Sequence, residues 1–217
     1  MSLMRLNAFA GNLKGASGNA VYVRSPYGTI LRNRPMVWNE PSEKQIEARQ
    51  RMASAGRAWS ALTLTQAAAW KQYAAQQIQS TPRTDETPPP STQNVFVRLA
   101  LKVLHVDPTA PIPANPPTTA FLGDAVTLDV TAEPGAIRFT PSEPNAPGII
   151  TELLLQPLKS VHRRTYLSKY RTAAFVAFGS GPHDLAVKPG VYAVAYCFVR
   201  AETGQETGIA ELGTVVV

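Results

Sequence analysis

From Ala120 onward the chain reads as a series of short β runs, each closed by a turn signal. The runs are Val126–Thr131, Ala136–Thr140, Ile149–Gln156, Thr165–Tyr170, Ala173–Phe178, Gly190–Arg200 and Ile209–Val217. Between them stand Glu133-Pro-Gly135, Pro144-Asn-Ala-Pro-Gly148, Gly179-Ser-Gly-Pro182 and Glu202-Thr-Gly204. Gly and Pro in such clusters set the backbone for reversals and interrupt ladder pairing. Seven short strands in about 100 residues predict a β-sandwich. The run Tyr192-Ala-Val-Ala-Tyr-Cys-Phe-Val-Arg200 alternates, as a strand with a buried face does. Alternation predicts Tyr192, Val194, Tyr196 and Phe198 on one face, and Val191, Ala193, Ala195 and Cys197 on the other.

The preceding region has helical periodicity. Ser42-Glu-Lys-Gln45 is a capping-box signature. The helix it starts carries Ala48, Met52, Ala55, Trp59 and Leu62 on one stripe, with Arg49, Arg51 and Arg57 off it. Thr63-Leu-Thr-Gln66 is a second capping box, and its helix is expected to run to about Gln79 with Ala67, Trp70, Ala74 and Ile78 on its apolar side. With almost no linker between them, the two helices must form a tight corner or hairpin, with Trp59 and Trp70 packed at the crossing. Residues 80–92 (STPRTDETPPPST) form a proline-rich linker. Gln93–Leu104 predicts a third helix, and 107–118 a second proline-rich connector.

The first 37 residues differ from both regions. Gly11, Gly15 and Gly18 lead into Asn19-Ala-Val-Tyr-Val-Arg24, a Ser25-Pro-Tyr-Gly28 turn and Thr29-Ile-Leu-Arg-Asn-Arg34. This predicts a glycine-hinged basic β-hairpin. Two strands alone are marginal in water, so the hairpin must be completed by the rest of its own chain or by a neighbouring subunit. Gly15, Gly18, Tyr22, Arg24, Arg32 and Arg34 are the expected partner-binding residues.

The net charge of +6 is unevenly spread. Residues 1–78 hold ten Lys and Arg against three acids, giving +7, whereas residues 119–217 hold eight against nine, giving −1. A dispersed basic face with no Lys/Arg run and no nucleic-acid module points to an acidic protein surface before nucleic acid. The single cysteine, Cys197, precludes an intrachain disulfide framework and is expected to be a buried small hydrophobe. His105, His162 and His183 have no metal-ligand spacing with acids or Cys197. No P-loop, G-x-S-x-G or H-E-x-x-H motif occurs. The expectation is a non-enzyme without metal or cofactor. His162-Arg163-Arg164, between two strand runs, is read as an exposed loop cluster able to meet polyanions. The sequence contains neither a secretory pattern at its start nor a spanning segment, which predicts a reducing cytoplasm and no membrane partner.

Two resemblances accompany these readings. Leu185-Ala-Val-Lys-Pro-Gly-Val-Tyr192-Ala-Val-Ala-Tyr196, followed by Arg200-Ala-Glu-Thr-Gly204, resembles the end of a fibronectin type III domain. Val187-Lys188 intervene before Pro189, and that family's early tryptophan has no counterpart. The N-terminal half is similar to small bacterial and tailed-phage structural proteins. The residues that carry this likeness are Gly15-x-x-Gly18-x-x-Val21, Arg32-x-Arg34-Pro35, Gln45-x-x-x-Arg49, Trp59-x-x-Leu62-Thr63-x-x-Gln66-x-x-x-Trp70 and Asn94-x-Phe96-Val97-Arg98-Leu99.

Together these readings predict an α+β chain. It comprises a hairpin arm (1–37), a helical unit (38–106), a connector (107–118) and an immunoglobulin- or fibronectin-III-like sandwich (119–217). The likeness implies a virion structural protein assembled in the host bacterial cytoplasm. It would be a capsid accessory or decoration protein that binds other virion subunits, such as the major capsid or connector protein, and is homo-oligomeric in the assembly. The alternatives are a neck or tail component, a nucleic-acid-binding accessory protein and a carbohydrate-binding display module.

Overall fold

The structure, a computed structural model, describes residues 2–4, 14–26, 28–34, 42–76 and 90–217. Gly11, Tyr27, Pro35, Ile78 and most of the 80–92 linker lie outside the described residues. The chain is α+β, with three helices and antiparallel sheets among the described residues. It divides into two compact units, Met1–Gln45 and Ile46–Val217.

The first unit contains the expected hairpin as β3 (Ala20–Ser25) and β4 (Gly28–Asn33), flanked by β1 (Ser2–Met4) and β2 (Gly15–Ser17) in the order β1-β4-β3-β2. The hairpin is thus extended by its own chain on both edges.

Helix α1 (Glu43–Ser60) runs from the end of the first unit into the second, which holds α2 (Leu64–Ala75) and α3 (Thr92–Val106). Thr63 caps α2 with a complete capping box: its Oγ1 accepts from Gln66 N at 3.3 Å, and Gln66 Oε1 accepts from Thr63 N at 2.9 Å. Ser91 caps α3 through Asn94 N at 3.2 Å. The two tryptophans meet through a third ring instead of each other. Phe96 of α3 lies 5.4 Å from Trp59 and 5.0 Å from Trp70, centroid to centroid. The 107–118 connector is part of this packing, since Trp70 Nε1 donates to Ala114 O at 2.9 Å and Ile112 packs on the same cluster. The α1 stripe joins the core only over its second half. Ala55 is fully buried, whereas Met52 is 52% exposed and Ala48 is exposed.

Seven strands follow. They are β5 (Leu128–Glu133), β6 (Ala136–Pro141), β7 (Ile149–Leu158), β8 (Arg171–Val176), β9 (His183–Ala186), β10 (Val191–Arg200) and β11 (Ala210–Val216). They make a sheet β5-β6-β9 and a sheet β11-β10-β7-β8. One core joins the sheets: Leu128, Ile137 and Phe139 from the first meet Leu153, Leu155, Val194, Phe198 and Val215 from the second.

Two runs depart from the sequence reading. Thr165–Tyr170 is not a strand; it is loop with a 3-10 turn at Leu167–Lys169. A strand needs a ladder partner, and β8 takes its place beside β7 only from Arg171, which pairs Leu155. His183–Ala186, too short and polar to register as a β run, is the edge strand β9, paired from Ala136↔Ala186 to Phe139↔His183.

The central pair, β7 and β10, is in register over ten positions, from Val191↔Leu158 to Arg200↔Ile149. Alternation turns Tyr192, Val194, Tyr196 and Phe198 into the shared core, as expected. The opposite face is covered too. Ala193, Ala195, Cys197 and Val199 cluster there with Leu154 and Tyr170, and Val106 of α3 packs on them. Small side chains on β10 let a helix approach this face closely, and burial on both faces is why β10 reads as a nearly unbroken apolar run.

The closest approach is at Gly204, between β10 and β11. Its φ is +71°, and a Cβ there would overlap the backbone carbonyl oxygen of Leu99 in α3. Gly204→Ala therefore combines left-handed strain with overpacking against backbone that cannot yield locally. It is expected to cost about 2–4 kcal/mol in urea unfolding. Gly208→Ala, where a Cβ meets open space, is expected to change stability little.

Candidate functional site

The six residues expected to bind a partner all lie in the first unit. Gly15 (φ +123°) opens β2, and Gly18 (φ +56°) makes the turn from β2 into β3. A Cβ at either would meet nothing within 4 Å. These glycines serve backbone conformation, not close packing against the described residues.

Register separates the other four. Tyr22 pairs with Gly15 on β2 and Leu31 on β4, so these three share a face, and Arg24, two residues on, shares it as well. Arg32 pairs with Val21 and lies on the opposite face with Val23 and Ile30. Arg34 follows β4, and its backbone N–H closes the ladder on Asn19 O at 2.8 Å. The sheet therefore brings Gly15, Tyr22 and Arg24 together and carries Arg32 on its other side.

Arg24, Arg32 and Arg34 are exposed and make no ion pair among the described residues. Lys14, Gly15, Tyr22, Val23 and Arg24 line a depression of about 440 Å³. Two cations beside a half-buried aromatic ring suit a carboxylate-bearing segment, because the Arg guanidinium can take both carboxylate oxygens at once. Val21, Tyr22, Val23, Ile30 and Leu31 are each only partly buried, and the one buried residue described in this sheet is Thr29.

A second cluster of chemically able groups lies where α3 meets β7 and β10. Glu152, 2% exposed, sits mid-strand on the face opposite the shared core. Lys102 Nζ reaches Glu152 Oε2 at 2.8 Å and Glu206 Oε2 at 2.7 Å. Thr172 Oγ1 donates to Glu152 Oε1, and Cys197 Sγ lies 3.4 Å from Glu152 Oε2. Burial by itself would raise the Glu152 pKa; hydrogen bonds from Lys102 and Thr172, the Lys102 charge and the Cys197 thiol together bring it below the ordinary carboxylate value. Burial and the Glu152 charge push the Cys197 thiol up to about 12, so it is not a reactive thiolate. Every buried polar side-chain atom among the described residues has a partner. The cluster is a satisfied structural junction.

The sequence reading missed Lys102 and Glu152, since a lone charge inside Ile149–Gln156 has no partner nearby in sequence. The three histidines stay apart. His105 stacks edge-on to Phe175 and His183 to Phe178, while His162 is exposed in a loop. No protein-family model matches the chain, and no curated protein or solved structure matches it either.

Replacing Lys102 with Met leaves Glu152 buried without its counter-charge. The expected loss at pH 7 is about 3–5 kcal/mol. In the parent the folded-state pKa of Glu152 is depressed, so its contribution is present above the ordinary carboxylate pKa and lost as pH falls through the lower folded value. In Lys102→Met burial raises that pKa above the unfolded value, and the sign inverts. The gap between variant and parent should therefore narrow as the pH is lowered from 7 to 4, as read by urea midpoints across that range.

Proposed function

We propose that the protein is a structural component of a tailed-phage particle, a capsid accessory or decoration protein that docks on other virion subunits through its N-terminal sheet. One observation carries this reading. The first unit contains a four-stranded sheet in which Val21, Tyr22, Val23, Ile30 and Leu31 stay half-buried and Arg24, Arg32 and Arg34 have no carboxylate partner among the described residues. A sheet with that surface gains most of its burial only on meeting another subunit. Placement of Arg24 and Arg32 on opposite faces suits a sheet held between two acidic surfaces.

The seven-stranded part is read, within this proposal, as a fibronectin-III-like sandwich displayed from the particle. Its division into sheets of three and four strands, with Tyr192 and Tyr196 on β10 turned to the shared core, supports the resemblance of the C-terminal sequence. The mechanism is adhesion, with no chemical turnover.

The test is incorporation into particles during co-expression with the other virion proteins. Tyr22→Ala/Arg24→Glu on one face and Arg32→Glu on the other should each lower incorporation about fivefold or more, because truncating an interfacial aromatic or a paired Arg costs over 1 kcal/mol. Deletion of residues 1–37 should abolish it. Incorporation at parental levels in the deletion would refute the proposal. Free DNA should bind the parent weakly at physiological salt, at about 10⁻⁴–10⁻⁶ M.

A further inference from the structure

The β7–β8 loop concentrates the positive charge of the seven-stranded region. Lys159, Arg163, Arg164, Lys169 and Arg171 fall within thirteen positions, and no Asp or Glu occurs between Glu152 and Asp184. Lys159, Arg163 and Lys169 are exposed and form no ion pair among the described residues. Arg164 lies over the Tyr166 ring at 5.8 Å. Apolar side chains stand among these cations: Val161 is 49% exposed, Tyr166 50% and Leu167 61%.

The loop is built, not slack. Tyr170, 6% exposed, packs on the outer face of β7 and β10, and its OH donates to Glu211 Oε1 at 3.1 Å. Thr165 Oγ1 lies 3.4 Å from the same oxygen, and Gln156 Oε1 accepts from Tyr166 N at 3.2 Å. Arg171 binds Ser168 O and Tyr170 O. The carboxylate that the loop touches is thus held by two hydroxyls, and the cations remain turned to solvent.

We propose that this loop is a peripheral contact for an anionic lipid surface, with Lys159, Arg163, Arg164 and Lys169 on the headgroups and Val161, Tyr166 and Leu167 at the acyl boundary. The inference does not rest on the reading of the N-terminal sheet. Three arguments select a bilayer. Aliphatic side chains among cations add affinity at a lipid interface, where both classes find partners. Single-stranded nucleic acid would use a row of stacking rings, and the loop exposes two, His162 and Tyr166, the second already under Arg164. A stable protein interface takes about 20–30 residues a side, roughly twice what the loop presents. Peripheral contact of this kind needs no spanning helix, and none of the described helices is long and apolar enough to be one.

The experiment is sedimentation of the full chain with vesicles of phosphatidylglycerol or of phosphatidylcholine. Binding is expected to the first and not the second, and to fall steeply in about 0.5 M salt, where the screening length shrinks to roughly 4 Å. Each cation near an anionic leaflet strengthens binding about fivefold, so replacing Lys159, Arg163, Arg164 and Lys169 with Gln should weaken it more than 100-fold. Leu167→Asp should weaken it about tenfold with the positive charges intact. All these side chains are exposed, and a thermal melt matching the parent checks that each variant is folded; Lys159→Gln/Arg163→Gln, expected to lose about 25-fold, replaces the quadruple variant if that melts early. No binding to phosphatidylglycerol vesicles overturns the proposal. So does binding that survives the Gln substitutions, which would place the contact elsewhere in the chain. Indifference to Leu167→Asp, or tighter loop-dependent binding to a single-stranded oligonucleotide or to polyglutamate, overturns it as well and assigns the loop to that polyanion.

Discussion

The outer face of the β7–β10 pair must be kept from water, and most of the second unit is arranged around doing so. A sheet face lined by Ala193, Ala195, Cys197 and Val199 is apolar but shallow, so only an element that comes very close can cover it. Helix α3 covers one part and Tyr170 of the β7–β8 loop another. Gly204 gives α3 the room it needs at Leu99, where any side chain would overlap the helix backbone. With α3 held there, its other side supplies Val95, Phe96, Leu99 and Ala100 to the helical core, and Trp59 and Trp70 close on Phe96. The helices and the seven strands belong to one compact unit because a single helix contributes to both cores.

A charge sits at the middle of this junction, and its role follows from its surroundings. Glu152 is among the most deeply buried side chains described, yet each carboxylate oxygen has partners from separate elements: Lys102 from α3, Thr172 from β8 and Cys197 from β10. Removing two charges from water is costly, and buried pairs of this kind often contribute little net stability over apolar residues of similar volume. What this pair gives is position. Lys102 ties α3 to β7 through Glu152 and to the segment before β11 through Glu206.

The two surfaces with chemistry left over are of different kinds. In the first unit, half-buried apolar groups and arginines without an ion pair among the described residues lie on a small sheet that its own chain widens on both edges. In the second, the β7–β8 loop is fixed from below by Tyr170, Gln156 and Glu211, which leaves its cations and apolar tips outside. Among the described residues, neither surface sets a nucleophile beside a base.

Local chemistry accounts for what was legible in the sequence. Thr63 and Gln66 announce the start of α2 because a capping box is completed within four residues. The Gly28 turn and the alternation of Ala20–Ser25 and Gly28–Asn33 give the hairpin, and the alternation of Tyr192–Val199 gives the correct two faces of β10. These signals depend on neighbours in the chain, so the sequence by itself determined them, together with the uneven charge. The rest depends on partners far along the chain. Thr165–Tyr170 has the residues of a strand but no ladder to join, whereas His183–Ala186 is a strand because β6 offers it an edge. Tyr22, Arg24 and Arg32 were legible as one basic group, and only the register of β3 against β4 placed Arg32 on the other face. The pairing of Lys102 with Glu152, fifty residues away, was decided by the tertiary structure alone, since nothing local to either residue specifies which charge will meet it once both leave water.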